Sequence, residues 1–539
     1  MQILSLIRER FEQALEGWVE NGAEYAQRVT LARDPRHGDY QANIAMPLQK
    51  VLNKKPQEIA RELVDRLRID DLCLPAEIAG PGFINLKLKD EFLADQLTTA
   101  MCDERLAVGR VTPRTYIVDY SGPNVAKPMH VGHIRSTVIG DALTRTLRFL
   151  GHRVISDNHL GDWGTQFGMI IYGYKHFVDA AAFEAQPVAE LSRLYRLMQQ
   201  IIGFQAAEPK LHAATEAVRL AAERVAQLEA AASGTPQLKK ELKAAIKEKR
   251  TAEQVLEGLV HTVEAVNHDP QMLALAQTHQ NLEQKAQLET AKLHAGDQEN
   301  LALWKKFVPL SITEIESVYR RLNIEFDHTY GESFYHPQLP GVVQKLVDAG
   351  QAVDSEGALC IFLEGFDAPM IIRKSDGAFL YATTDIATIE YRVEHFQPDV
   401  ILYVVDHRQS EHFAKLFAAV RAIGYSQLEL HHISFGTVLG SDGKPFKTRS
   451  GTVVGLEYLL DEAVDRAAQV LAKAGLQIPP EEQQQIARTV GLGAIKYADL
   501  SHNRTSDYEF NTEKMVQLEG NTSTYIQYMY ARSRSIIRK

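Results

Sequence analysis

His130 and His133 stand three residues apart around Gly132, with Lys127 three residues upstream. Two imidazoles and an ammonium at that spacing are hydrogen-bond donors and a mobile point charge, which suits them to grip phosphoryl oxygens. A glycine among them lets a ligand approach the backbone closely. Far downstream, Gly443-Lys444-Pro445-Phe446-Lys447-Thr448-Arg449-Ser450-Gly451 is a glycine-bounded loop carrying three more cations. Either stretch alone reads as an ordinary polar surface loop. Their elements decide between the readings.

Tyr116-Ile117-Val118-Asp119-Tyr120 alternates β-branched and aromatic residues and predicts a buried strand. Ser121-Gly122-Pro123-Asn124 must turn. A helical pattern then runs from Ile134 to Leu150, closed by Gly151, and the next strand is predicted over Arg153 to Asp157. This is the first half of a βαβ unit, and the histidines fall where its helix begins. Unpaired N–H groups and a partial positive charge collect there, which favours the phosphate reading.

His130-Val131-Gly132-His133 resembles the HIGH signature of class I aminoacyl-tRNA synthetases. The longer string from Asp119 to Thr137, with His159-Leu160-Gly161-Asp162-Trp163-Gly164-Thr165-Gln166-Phe167-Gly168, is similar to arginyl-tRNA synthetases in particular. The resemblance implies ligation of L-arginine to tRNA(Arg) in two steps. ATP-dependent formation of arginyl-adenylate would come first, then transfer to the tRNA 3′ end. ATP is then a substrate, with Mg2+ arriving on it; no protein metal site is expected. Neither step needs a protein nucleophile, and catalysis rests on positioning and on charge placed against the phosphates.

The same resemblance implies roles. Lys127, His130, His133, Lys447 and Arg449 would be catalytic. The downstream loop resembles the family's KMSKS loop imperfectly: Lys444 to Thr448 keeps two lysines in spacing, whereas a register anchored on Thr448-Arg449 puts Pro445 and Thr448 at the lysine positions. ATP would be met by His130, Gly132, His133, Gly140, Phe435, Gly436, Val438, Lys444 and Lys447. Phe435 to Leu439 reads equally as a core strand. Asp119, Ser121, Asn124, Tyr381, Asp385 and Gln409 would bind arginine, with Asp385 on the guanidinium, Asn124 and Gln409 at the amino-acid head, and Tyr381 as a wall. A dipole-stabilising carboxylate at a helix start is the other reading of Asp385.

At 539 residues the chain is expected to hold several domains. The expected fold is α/β: a Rossmann-type catalytic domain with a parallel sheet, a small N-terminal α/β domain, an inserted helical hairpin and a helical C-terminal region. Residues 1–110 resemble the family's tRNA-contacting N-terminal domain and 111–475 the catalytic domain, while 476–539 are expected as a helical region leading into a truncated anticodon-binding domain, of which only the opening helix, near Thr522 to Lys539, is expected. Within the catalytic domain, Leu211, Ala214, Val218, Ala221, Val225, Leu228 and Ala232 keep a coiled-coil spacing, as do Leu238, Leu242, Ala245, Ala252, Leu256, Leu259 and Val263. They predict a hairpin over 205–268, read as a spacer, with a tRNA or partner contact as its alternative. Apolar runs at Ala358–Phe362 and Val400–Val405 are expected in the parallel sheet.

Three widely spaced cysteines, Cys73, Cys102 and Cys360, argue against a disulfide frame or zinc site and for a reducing compartment. No run is apolar enough to cross a bilayer, and Met1 to Glu20 is neither a secretory signal nor a transit peptide, so a cytoplasmic monomer is expected. A net charge of −10 does not itself suggest RNA; a local basic face would have to hold it. Two rivals stay open: a class I ligase of lysyl or cysteinyl specificity, and an inactive tRNA-binding relative.

Overall fold

The computed structural model describes residues 3–125, 127, 129–231, 236–440, 443, 446, 455–473 and 478–538. The chain divides into two compact units, residues 1–113 with 149–151, and the remainder.

The smaller unit is a four-stranded antiparallel sheet with helices packed on it. Its strands, in order across the sheet, are Val29–Leu31, Tyr40–Ala42, Phe83–Leu86 and Glu77–Ala79. Ile7, Phe11 and Leu15, from the helix Ile3–Leu15, join Ile59, Leu63 and Ile84 in its core. Gly38 is required by close approach: a Cβ there would sit 2.4 Å from the Leu86 carbonyl oxygen.

In the larger unit, strand β1 (Thr115–Asp119) leads to helix α1 (Val131–Leu150) and strand β2 (Arg153–Leu160). A long helical excursion includes α2 (Leu211–Ala230) and α3 (Pro236–Asn267) before the chain returns at strand β3 (His328–Gly331). Then come α4 (Tyr381–Phe396), β4 (Val400–Tyr403), α5 (Ser410–Ala422) and β5 (Glu429–His432). The five strands form one parallel sheet in the order β5-β4-β1-β2-β3. Ile117, Val118 and all of Val400–Tyr403 are buried, as a sheet covered on both faces demands. The chain steps outward from β1 to β3, then restarts beside β1 at β4. The connections leaving β1 and β4 therefore part in opposite directions, and a crevice opens at their carboxyl ends, where open α/β sheets bind ligands. α1 lies so close over this sheet that a Cβ on Gly140 would fall 2.1 Å from the Tyr120 ring.

The expected strand Ala358–Phe362 is not in this sheet. Ala358–Ile361 is the middle strand of a separate three-stranded antiparallel sheet with Val353–Ser355 and Met370–Arg373. Glu356 (φ 55°) and Gly357 (φ 82°) are the two left-handed residues of a tight hairpin turn, which folds the run back on its predecessor. An apolar run alone does not distinguish the two settings.

α2 and α3 pack as an antiparallel pair. Leu211, Ala214, Val218, Ala221, Val225 and Leu228 are among the withdrawn residues of one helix, and Leu238, Leu242, Ala245, Lys249, Ala252, Leu256, Leu259 and Val263 among those of the other. Ala232 lies outside the described residues. The base of the pair joins Met198, Ile201 and Phe204 through Val263 and Val266. Beyond β5, helices α6 (Leu456–Lys473), α7 (Pro480–Ser501) and α8 (Ser523–Arg538) follow. Val438–Leu439 pairs in parallel with Tyr508–Glu509.

Candidate active site

The turn leaving β1 is locked before it reaches the histidines. Ser121 adopts φ 71°, a left-handed conformation that costs a non-glycine residue energy, and three bonds hold it there. Its N–H donates to Ser136 Oγ (2.8 Å), and its hydroxyl bonds Thr137 Oγ1 and the Tyr319 hydroxyl, both at 2.8 Å. Asn124 is bridged to Gly161, so the β1 and β2 turns meet; a Cβ on Gly161 would strike Asn124 Oδ1 at 2.4 Å.

The two imidazoles then lie against each other, ring centroids 4.0 Å apart and planes tilted by 38°. His133 Nδ1 accepts the His130 N–H (3.1 Å), and His130 Nδ1 accepts the Gly132 N–H (3.0 Å). With each Nδ1 used as an acceptor, a neutral ring carries its proton on Nε2. Burial, then His130 and Lys127, push His133 down to about 3. Burial, then Lys127 and Arg408, also lower His130. Both rings are therefore neutral Nε2–H donors near neutral pH. Gly132 is dictated by the same packing, since a Cβ would lie 2.8 Å from His130 Cε1. Lys127 is half-buried, its Nζ 5.2 Å from the Tyr195 ring centroid.

Lys444, Lys447 and Arg449 lie outside the described residues. The described residues next to them are bonded to the fold at two points. Phe446 N–H donates to the Val438 carbonyl (3.1 Å) on one side. On the other, Gly455 bridges to His130 and Leu456 N–H donates to the Met129 carbonyl (2.8 Å). The Phe435 and Val438 side chains are buried in the core, and Gly436 packs where a Cβ would meet the Ser506 backbone at 2.6 Å. The backbone here is bonded too, the Gly436 N–H donating to the Arg504 carbonyl (3.0 Å) and the Phe435 carbonyl accepting the His407 N–H (3.2 Å).

Across the crevice, Asp385 sits one helical turn after Tyr381, which is 71% exposed. Asp385 Oδ2 bonds His412 Nε2 at 2.6 Å. Burial opposes the charged form of His412, but that carboxylate outweighs it and raises the imidazole. The raised pKa of Tyr403, at the carboxyl end of β4, owes most to burial, with the Asp385 charge a smaller contributor. Gln409 is exposed at the start of α5, its N–H bonded to the Asp406 carbonyl (3.1 Å). Arg408, one turn before His412, is paired with Asp406 at 2.8 Å, and its charge reaches His130.

The buried partner of Asp119 was not legible beforehand. Arg392, fully buried, spans Asp119 (2.6 Å) and Asp157 (2.7 Å), which are directly opposite in the β1–β2 register. Burial works against the guanidinium, but the two carboxylates hold it charged well above its usual range. Its signal in the sequence was an arginine on the apolar stripe of α4, among Ile386 and Ile389. Glu332, which follows β3, was also missed: burial, with Asp162 and Asp385 adding, raises its carboxyl. Asp157 Oδ1, His159 Nδ1, Trp163 Nε1 and the Tyr335 hydroxyl are buried there without a hydrogen-bond partner among the described residues.

Residues 96–223 and 234–512 match the family described as tRNA synthetases class I (R), catalytic domain, and residues 5–88 match the arginyl tRNA synthetase N terminal domain. An arginine–tRNA ligase of Rhodopirellula baltica is 53% identical over 557 residues, covering all of this chain and 83% of the relative. The chain belongs to the arginyl-tRNA synthetase family. It is a class I arginine–tRNA ligase, and charging tRNA with arginine at the expense of ATP is the family's function. The Klebsiella pneumoniae arginine–tRNA ligase is 39% identical over 552 residues, covering all of this chain and 82% of the relative. The Plasmodium falciparum arginyl-tRNA synthetase superposes with a TM-score of 0.70 at 25% identity, over all of this chain and 80% of that one. The Thermus thermophilus arginyl-tRNA synthetase shares the fold at a TM-score of 0.68 and 22% identity, over 82% of its length.

Proposed function

We propose that the chain condenses L-arginine with ATP in the crevice between β1 and β4 and passes the arginyl group to tRNA(Arg). The arginine carboxylate attacks the α-phosphorus, and pyrophosphate leaves. The terminal ribose hydroxyl of tRNA then attacks the acyl carbon, and AMP leaves. His130 and His133 donate from Nε2 to phosphoryl oxygens, and Lys127 supplies a cation beside them. Lys444, Lys447 and Arg449 supply further positive charge from the loop anchored at Phe446 and Gly455. The backbone at Phe435, Gly436 and Val438, with Gly132, borders the nucleotide.

Asp385, with Glu332 beside it, takes the guanidinium; Tyr381 walls the side chain, and Asn124 and Gln409 meet the amino-acid head. Asp119 acts through its pair with Arg392, and Ser121 by holding the turn, so both position the site. Among the described residues no three acidic or imidazole groups converge as a metal cage. The phosphates themselves would carry Mg2+, which neutralises their charge when bound. Residues 1–110 are assigned to tRNA contact, 111–475 to catalysis and 476–539 to a helical region leading into the anticodon-binding module. A cytoplasmic monomer completes the reading; among the described residues no helix is long and apolar enough to cross a membrane.

The single observation that carries it is the locking of both Nδ1 atoms by backbone N–H groups, which leaves two Nε2–H donors at a helix start beyond the carboxyl end of β1. Incubating the protein with total tRNA, ATP and labelled amino acids tests it. Arginine alone should be charged. Charging of lysine or cysteine in its place, or of nothing, overturns it.

A further inference from the structure

The inserted α2–α3 pair has a charge distribution that its own stability does not explain. Six of the twelve residues from Lys239 to Arg250 are cationic against two acids, in a chain of net charge −10. Both acids are already occupied: Glu248 pairs with Arg224 at 3.2 Å, and Glu241 accepts from the Gln237 amide at 2.9 Å. Lys249 turns into the seam and pairs with Glu253 at 3.6 Å. Lys239, Lys240, Lys243, Lys247 and Arg250 remain, all exposed and without an acidic partner among the described residues.

Lys239, Lys243, Lys247 and Arg250 fall at intervals of four, four and three along α3, one exposed stripe outside the apolar seam. At 1.5 Å per residue the stripe is about 16 Å long, with a cation about every 6 Å. Like charges at that interval repel. Lys239 also stands in the first turn of the helix, where the dipole disfavours cations, and no acid offsets it there. On α2 by contrast both arginines are paired, Arg219 with Glu216 and Glu223 and Arg224 with Glu248. A face that costs its helix stability needs a ligand to account for it. The anchored base at Val263 lies twenty residues, about 30 Å, from Lys243, so the stripe stands well out from the core.

We propose that the stripe Lys239, Lys243, Lys247 and Arg250 binds the phosphate backbone of tRNA, the polyanion this chain charges. The inference rests on the tRNA-charging function. A chain of net negative charge repels RNA at long range and needs such a local basic face to hold it. The contact is to phosphates and carries no base readout, so it adds affinity and no identity.

The test replaces all four residues by glutamine in the full chain and measures tRNA affinity by filter binding across a salt series. At low salt the affinity should fall at least tenfold. The slope of log affinity against log salt should lessen by about 3, as expected for four lost phosphate contacts. A variant carrying K239R, K243R and K247R should bind as the parent does. The glutamine variant should melt no lower than the parent, because its repulsion is relieved, and Glu216→Gln with Glu223→Gln on α2 should not weaken binding. An unchanged affinity and slope overturn the proposal and leave the stripe to an acidic protein partner or to solvent. Failure of the parent to charge tRNA at all would instead overturn the functional reading.

Discussion

His133 offers Nδ1 to the His130 amide and therefore meets a ligand with Nε2–H, and His130 repeats the arrangement through Gly132. The glycine is needed for space, so Gly132→Ala should push the His130 ring aside. We expect a loss of about 10- to 100-fold in kcat/KM for ATP with little change in Tm, read by steady-state kinetics beside thermal melting. The depressed histidine also sets an acid limit. Because His133 titrates at about 3 when folded against an ordinary 6.5, its contribution is complete above 6.5 and drains away as pH falls toward 3. His133→Asn should remove that share, on the order of a few kcal/mol, from the acid dependence of unfolding. His412 has the opposite sign. Its pKa is raised, so below it a cation competes with the substrate guanidinium for Asp385, and the KM for arginine should fall as pH rises through it. In His412→Gln that pH dependence should flatten; a profile unchanged by the substitution would remove His412 from the account.

Between elements, the decisive contact is Arg392 of α4 against the register pair Asp119 and Asp157 of β1 and β2. Removing a guanidinium that neutralises two buried carboxylates costs roughly 3–5 kcal/mol. Arg392→Met should lower the unfolding free energy by that amount in a denaturant titration, and a change within 1 kcal/mol would contradict the pairing. The β1–turn–α1 unit was legible in the sequence because alternation, turn residues and helical spacing agreed there. Arg392 was not, because its purpose appears only when the strand register sets two aspartates side by side. Ala358–Ile361 was read into the wrong sheet for a related reason: the Glu356-Gly357 turn, and not its apolar content, decides its partner. Phe435 and Val438 turned their side chains into the core, a choice that pattern cannot make between two faces.

At the scale of the whole molecule, the parallel order with its return beside β1 is what brings residues 127–133, 385 and 406–412 to one rim of the sheet. The family's motifs alone gave their roles but not this convergence. Arg135, two residues past His133, carries it further: it is buried against Asp499 of α7 at 3.2 Å and donates to the carbonyls of Arg504 and Ser506. The signature helix and the C-terminal helices are thereby one packed body. The crevice so formed is asked to grip a nucleotide on one side and a guanidinium on the other, and tRNA charging measured with each side altered separately tests that most directly. Asp385→Asn should cost two to three orders of magnitude in kcat/KM for arginine, about 3–4 kcal/mol, with the KM for ATP nearly unchanged, and lysine should remain uncharged. Wild-type arginine kinetics in Asp385→Asn would contradict the account.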